Sequence, residues 1–454
     1  MGAFHAYDIR GVYGVDFDRT VAYKVGYFLP ELLGASEVLV GRDCRVSSQE
    51  IHDALVEGIC DAGADVADIG LSSTPMVYFA TANYGYKASV QITASHNPAA
   101  YNGMKVSREN ALPVGLDTGL GQIRDWIEAG RPTPAAEKRG TVRCKDIRRD
   151  YLDFMMRFKG DYSGLKIAFD LSNGMACLFA HEVFGEAPAY LFDTIDGSFP
   201  NHEPNPLVAK NVEPLKELVL RIGADAGVIY DGDADRVMFV DEKGRFVAPD
   251  LIIAMMALYF CDERGEKAPR VLQEIRSSKA VGEFLGRYGA ELHTWRVGRA
   301  FAAPKLRELD GLWGGELAGH YYFKDFFYSD SGLLSSLIVL RIVAALKKQG
   351  KTFSGQIDEI AGYCNSGEIN FRLDDKPGAM QAVCAHFSAQ ETPLKVMDFD
   401  GYRLEFPDWW FNIRPSNTEP YLRFICEART EELLRDKVEQ TCRLLEERFA
   451  AIRS

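Results

Sequence analysis

Residues 88–98 read Ala-Ser-Val-Gln-Ile-Thr-Ala-Ser-His-Asn-Pro. The run through Ile92 and Thr93 predicts a short apolar strand, and Pro98 prevents its regular continuation. Ser95 is thereby displayed at a strand end with His96 beside it. The same arrangement recurs twice downstream. Ala226-Gly-Val-Ile-Tyr runs into Asp231-Gly-Asp-Ala-Asp, and Leu312-Trp-Gly-Gly runs into Glu316-Leu-Ala-Gly-His. Each of these endings is preceded by two further strand patterns separated by helical stretches: 37–43 and 64–70, then 165–170 and 187–193, then 270–274 and 290–295. The chain thus reads as a weak internal repeat of roughly 100 residues, although three unrelated α/β segments would give a similar pattern. Ligands of open α/β sheets collect outside the carboxyl ends of strands, where all three polar endings fall. The expected fold is α/β: three related domains with mixed, largely parallel sheets.

After Gly362 the texture changes. Extended runs at 368–373 and 401–406 lead into the strand-like Trp410-Phe-Asn-Ile-Arg and Tyr421-Leu-Arg-Phe-Ile-Cys-Glu. The chain then closes on a helical pattern from Glu431 to Ile452, with Leu434, Val438, Cys442, Leu445 and Phe449 on one face. This predicts a smaller α+β domain with an antiparallel sheet. The expected domains are 1–150, 151–250, 251–362 and 363–454.

At 454 residues the chain is too long for one core. A formal charge of −13 argues against nucleic acid or an anionic membrane as partner, while leaving room for small anionic ligands held by local cations. Nine cysteines lie singly, with no Cys-x-x-Cys pair, which suggests reduced thiols, no zinc site and a cytoplasmic home. No apolar run is long enough to span a bilayer, and residues 1–6 lack the features of a signal peptide. Monomer and dimer are both open.

Four stretches carry chemistry. A strand-end Ser95 can be a nucleophile or phosphate carrier. It can also be a helix-capping serine, but Asn102-Gly103-Met104-Lys105 adds a turn and a cation nearby. In Asp231-Gly-Asp233-Ala-Asp235-Arg236, three carboxylates at alternate positions can point the same way on extended backbone. They would repel one another strongly unless a hard cation sits between them. Mg²⁺ suits the site, because it needs few protein ligands. A plain acidic turn is the alternative, and an EF-hand is disfavoured because Arg236 stands where that loop needs glycine. Gly314-Gly-Glu316-Leu-Ala-Gly-His320 offers an acceptor and a switchable donor for sugar hydroxyls, although by itself it reads as readily as a plain glycine-rich turn. Arg414-Pro-Ser416-Asn417-Thr418 offers a planar fork and short donors for phosphate, or else a simple turn with a solvated arginine.

Together these stretches resemble the α-D-phosphohexomutase superfamily, most closely its bacterial phosphomannomutase/phosphoglucomutase branch, over essentially the whole chain and in the family's order. The resemblance implies four domains around one central cleft. The activity it implies is interconversion of hexose 1- and 6-phosphates, of mannose or glucose, through phospho-Ser95 and a hexose 1,6-bisphosphate that also serves as activator. It implies Mg²⁺ held by Asp231, Asp233 and Asp235 with Ser95, and sugar reading by Glu316 and His320. Arg414, Ser416, Asn417 and Thr418 would hold the phosphate that is not reacting. Ala6-Tyr7-Asp-Ile-Arg10-Gly matches the family's N-terminal motif and brings Tyr7 and Arg10 to the cleft. Gly41-Arg42-Asp43 also matches, as do Lys105 and Arg236, the last two beside the reacting phosphate. His96, Lys105, Arg10 and His320 are the candidates for general acid and base.

Two departures bear on the sugar. Ala318 stands where the family's sugar loop usually has serine, and Arg296 and Arg299 stand where relatives often carry Lys and His. A phosphoglucosamine mutase, a metal-dependent phosphatase and a non-catalytic binding relative are the rival readings. A phosphatase would have little use for the second phosphate grip.

Overall fold

The computed structural model describes residues 2–416 and 420–453. Four sheets follow one another along the chain. In the first, Glu37–Arg42 is flanked in parallel by Asp65–Leu71 and Ala88–Ile92, and Ala88–Ile92 turns back antiparallel into Tyr101–Arg108. The second sheet repeats this plan. Ile167–Asp170 lies between Ala189–Leu191 and Ala226–Tyr230, the latter antiparallel to Val237–Asp241. So does the third, with Arg270–Glu274 between Glu291–Trp295 and Trp313–Gly315, and Tyr321–Phe323 antiparallel to the last. The repeat in sequence is therefore a repeat of topology. Its three polar loops, 93–100, 231–236 and 316–320, are the same turn in each copy, joining the third strand to an antiparallel fourth.

Burial explains why these strands read as unbroken apolar runs. Ala88–Ile92 and Ala226–Tyr230 are buried at every position, as expected of strands covered on both faces. The helix Gly332–Lys348, capped by Ser331 Oγ on the Leu334 N–H at 3.1 Å, is apolar nearly all round for the same reason. It is wedged against the second unit: Tyr162 donates to the Leu337 carbonyl at 2.8 Å, and Tyr230 to Ser336 Oγ at 2.7 Å. Among the described residues no helix is long and apolar enough to cross a membrane.

The last sheet is antiparallel throughout, built around Ile369–Arg372, Tyr402–Glu405, Trp409–Pro415 and Tyr421–Ala428. The final helix spans Glu431–Phe449 and buries Leu434 and Leu445, with Val438, Cys442 and Phe449 against the same core. It stops short of the expected Ile452 because Ala450 turns left-handed (φ +49°), after which Ile452–Arg453 pairs with Phe371 and Arg372. This domain is fastened to the third unit by buried polar contacts. Arg403 donates to the carbonyls of Ile275 and Ser277 at 2.7 and 2.5 Å, and Glu427 accepts from Ser278 Oγ at 2.6 Å.

Candidate active site

Ser95 adopts φ +51°, a left-handed conformation that costs a non-glycine residue about 1 kcal/mol or more. Its N–H is held by Thr93 Oγ1 at 2.9 Å, and its Oγ donates to Asp231 Oδ2 at 2.8 Å. Gly232 is required here, since a Cβ at that position would lie 2.6 Å from the Ser95 carbonyl oxygen. The three aspartates converge, but not by alternation on an extended strand. They lie on a tight turn in which Ala234 is left-handed (φ +59°), and this reversal brings their oxygens within 4.8 Å of one another.

All three carboxylates are fully buried. Lys105 Nζ binds Asp233 at 2.6 Å and Asp235 at 2.5 Å, and Thr74 Oγ1 donates to Asp233 at 2.5 Å. Burial and the neighbouring aspartates push the Asp231 carboxyl far above its usual range. At Asp235 burial acts in the same direction, but nearby cations, the Lys105 ammonium first among them, outweigh it and hold the pKa below normal. Lys105 is held firmly charged, because Asp233 and Asp235 overcome its burial. Asp233 Oδ1 and Asp235 Oδ1 have no hydrogen-bond partner among the described residues. Clustered buried oxygens with orphaned lone pairs, beside a serine hydroxyl, fit a hard divalent cation such as Mg²⁺.

The third loop joins the same centre. Arg236 Nε lies 2.9 Å from His320 Nε2. A guanidinium N–H can only donate, so that ring nitrogen accepts and the imidazole carries its proton on Nδ1, 2.6 Å from Asp330 Oδ2. Asp330 is also bound by Arg299 Nε at 2.9 Å, and His320 and Arg299 draw its carboxyl down to about 2 against the effect of burial. Arg10 reaches the serine loop through Asn97 Oδ1 at 2.8 Å. His96 is held neutral: burial, then the charges of Arg236, Arg10 and Lys105, push its pKa well down.

A second pole lies around Glu316 and Arg414. Glu316 accepts from the Gly298 N–H at 3.0 Å and from Tyr322, and its N–H closes a tight turn onto the His320 carbonyl at 2.9 Å. One short loop thus bridges the two poles. Arg414 is not the exposed turn residue that the sequence suggests. It lies in the strand Trp409–Pro415, is 4% exposed, and has Nη1 3.7 Å from Asp400. Its Nε and Nη1 have no hydrogen-bond partner among the described residues. Burial, and then repulsion from Arg276, lower its pKa. Tyr7 donates to the Val297 carbonyl at 3.3 Å, and the Val297 N–H donates to Asp400 at 3.0 Å, so this segment links the first, third and fourth domains. The Ser416 N–H donates to the Tyr421 carbonyl at 2.9 Å. Asn417 and Thr418 lie outside the described residues.

Sequence reading passed over several neighbours. Glu274 ends the central strand of the third unit with Arg276 just beyond it, as Arg42 ends that of the first with Asp43 just beyond, so the repeat held a signal for them. Asp330, in an ordinary Ser-Asp-Ser, gave none.

Three repeated turns bring a strained serine, an acidic triad and a histidine to one place, a set whose chemistry fits a divalent cation and an anionic ligand. Comparison with known proteins supplies the rest. Family models of phosphoglucomutase/phosphomannomutase match domain I over residues 1–132, domain II over 149–244, domain III over 248–363 and the C-terminal domain over 368–444. The chain belongs to the phosphoglucomutase/phosphomannomutase family. It is 36% identical to a phosphomannomutase of Salmonella typhimurium, across 94% of this chain and 95% of that one. A crystal structure of a phosphoglucomutase/phosphomannomutase family protein from Burkholderia thailandensis superposes with a TM-score of 0.87 at 28% identity, covering 98% of this chain and 97% of the other. More distant, at 14% identity and a TM-score of 0.56, is the fold of the Aspergillus fumigatus N-acetylphosphoglucosamine mutase, solved in complex with GlcNAc-6P and magnesium, covering 90% and 82% of the two chains. The protein is a phosphohexomutase, an intramolecular phosphotransferase.

Proposed function

We propose that Ser95 is the phosphate carrier and that the enzyme interconverts the 1- and 6-phosphates of mannose or glucose through a bound 1,6-bisphosphate. The observation that carries this reading is the left-handed Ser95, with its hydroxyl 2.8 Å from a buried aspartate whose two companions hold orphaned oxygens. In the first half-reaction the P–Oγ bond of phospho-Ser95 breaks as a bond forms to the free hydroxyl of the hexose phosphate. The bisphosphate turns over, and its other phosphoryl group returns to Ser95.

Asp231, Asp233 and Asp235, with Ser95, would hold Mg²⁺, which when bound offsets charge on the transferring group. Lys105 and Arg236 provide fixed positive charge around that group. The hydroxyl proton needs an acceptor. Lys105 is held charged, Arg10 cannot give up its proton, and burial together with the surrounding cations disfavours protonation of His96. His320, with its proton on Nδ1 toward Asp330, can accept at Nε2 once Arg236 turns toward the phosphoryl group. In this reading Glu316 binds sugar hydroxyls, and Arg414, with Tyr7, Ser416, Asn417 and Thr418, would hold the distal phosphate. The Aspergillus relative's recorded ligands, GlcNAc-6P and magnesium, agree with this set of partners.

The test is product analysis with mannose, glucose and glucosamine 1-phosphates plus a trace of hexose 1,6-bisphosphate, beside peptide mapping of the phosphorylated enzyme. The reading predicts 6-phosphates from mannose or glucose 1-phosphate and phosphate on Ser95. Release of inorganic phosphate alone, or full activity of Ser95→Ala, would overturn it.

A further inference from the structure

Arg45 lies outside both poles of the cleft, 2% exposed, just beyond the central strand of the first sheet. Its Nη2 donates to the carbonyls of Ser95 and Asn97 at 2.8 and 2.7 Å, and its Nη1 to those of Pro98 and Tyr101 at 2.8 and 3.0 Å. Nε binds Asp43 Oδ2 at 3.1 Å, so all five guanidinium hydrogens are engaged. Asp43 is fixed in turn by Ser48 Oγ at 2.5 Å, and Asn102 Nδ2 donates to Ser48 Oγ at 3.0 Å. The guanidinium also lies 5.0 Å from the ring centroid of Phe199, from the second unit.

We propose that Arg45 is a positioning residue for phosphoryl transfer: one planar fork gathers four carbonyls of the 95–101 loop and thereby holds Ser95 left-handed with its Oγ at Asp231. The inference rests on the carrier reading of Ser95. Between Thr93 and Tyr101 the loop has no sheet ladder to hold it, and Pro98 supplies no N–H. A strained conformation persists only where its surroundings over-determine it, and here Arg45 is the contact common to both ends of the loop. Carbonyl oxygens directed at Arg45 are also kept from facing the phosphoryl group. Lysine cannot reproduce this geometry, because its donors radiate from a single atom.

Arg45→Lys keeps a cation beside Asp43 and is the informative variant. A misplacement of about 1 Å at a reacting atom costs about a hundredfold in rate, so kcat should fall by about that factor while KM changes little. The ³¹P resonance of phospho-Ser95 should shift, whereas the melting temperature alone would report a merely structural role. Unchanged kcat and ³¹P shift in folded Arg45→Lys would overturn the proposal. If that variant fails to fold, Ser48→Ala carries the test. It loosens Asp43 and hence the fork, and should lower kcat several-fold at constant KM; wild-type kcat there would equally overturn it. Absence of phosphate from Ser95 in the wild-type enzyme would instead remove the carrier reading itself, which peptide mapping distinguishes.

Discussion

Arg414→Met separates a phosphate grip from a structural arginine. Methionine keeps an unbranched stem to pack in the same space and removes the charge and its donors. In the folded protein Arg414 makes no hydrogen bond through Nε or Nη1 to any described residue, and its ion pair with Asp400 is long, at 3.7 Å. Burial and Arg276 both work against its charge. Little folding energy is therefore lost in the variant, and the melting temperature should hold or rise slightly. Binding is another matter. A charge-assisted, forked contact to phosphate is worth about 1.5–3 kcal/mol, so kcat/KM should fall by about ten- to a hundredfold. Because the distal phosphate is held during chemistry, part of the loss should fall on kcat. The assay is steady-state kinetics on a hexose 1-phosphate with saturating bisphosphate, beside a calorimetric melt of each protein. Unchanged kinetics with a melt lowered by several degrees would refute the reasoning and make Arg414 a packing residue.

Asp233→Asn should lower activity by several orders of magnitude. It should also abolish the rise in melting temperature that millimolar Mg²⁺ gives the wild type; a stabilisation of about 2.7 kcal/mol is expected at a hundredfold excess over Kd. Equal Mg²⁺-dependent shifts in both proteins would exclude the triad as the metal site. Asp250 is buried, and its carboxyl is raised to about 7 by that burial first and by the charge of Glu427 next. A folded-state pKa above the unfolded value near 3.9 means that the protonated form stabilises the fold. That contribution, of order 4 kcal/mol at most, is fully present below about pH 4 and is lost as pH rises through about 7. Asp250→Asn should therefore flatten the fall in melting temperature between about pH 4 and 7; parallel curves would show that Asp250 does not titrate there. Peptide mapping after incubation with hexose 1,6-bisphosphate should place phosphate on Ser95 and leave Ser95→Ala unlabelled.

Much of this molecule is legible in its sequence because the decisive signals are local. A β-branched run ending in a polar loop announces a strand and its carboxyl-end turn, and three such endings announce a repeat. Residue type at those turns marks Ser95, Asp231, Asp233, Asp235, Glu316 and His320 as candidates for one site. Sequence spacing misjudged the backbone of the aspartate loop, since convergence there depends on a left-handed Ala234 that alternation does not reveal.

What lay beyond the sequence depends on packing between distant segments. Arg414 reads as a solvated turn residue, yet the sheet and the neighbouring domain bury it. Asp330 is unremarkable until Arg299 and His320 close on it, and Arg45 until the loop 50 residues later folds over its guanidinium. Residue types and short-range periodicity determine which turns are made and what they carry. Whether a charge is paired, buried or left waiting for a ligand is decided by which other segments pack beside it, because desolvation and Coulomb energy depend on neighbours in space and not on neighbours in sequence.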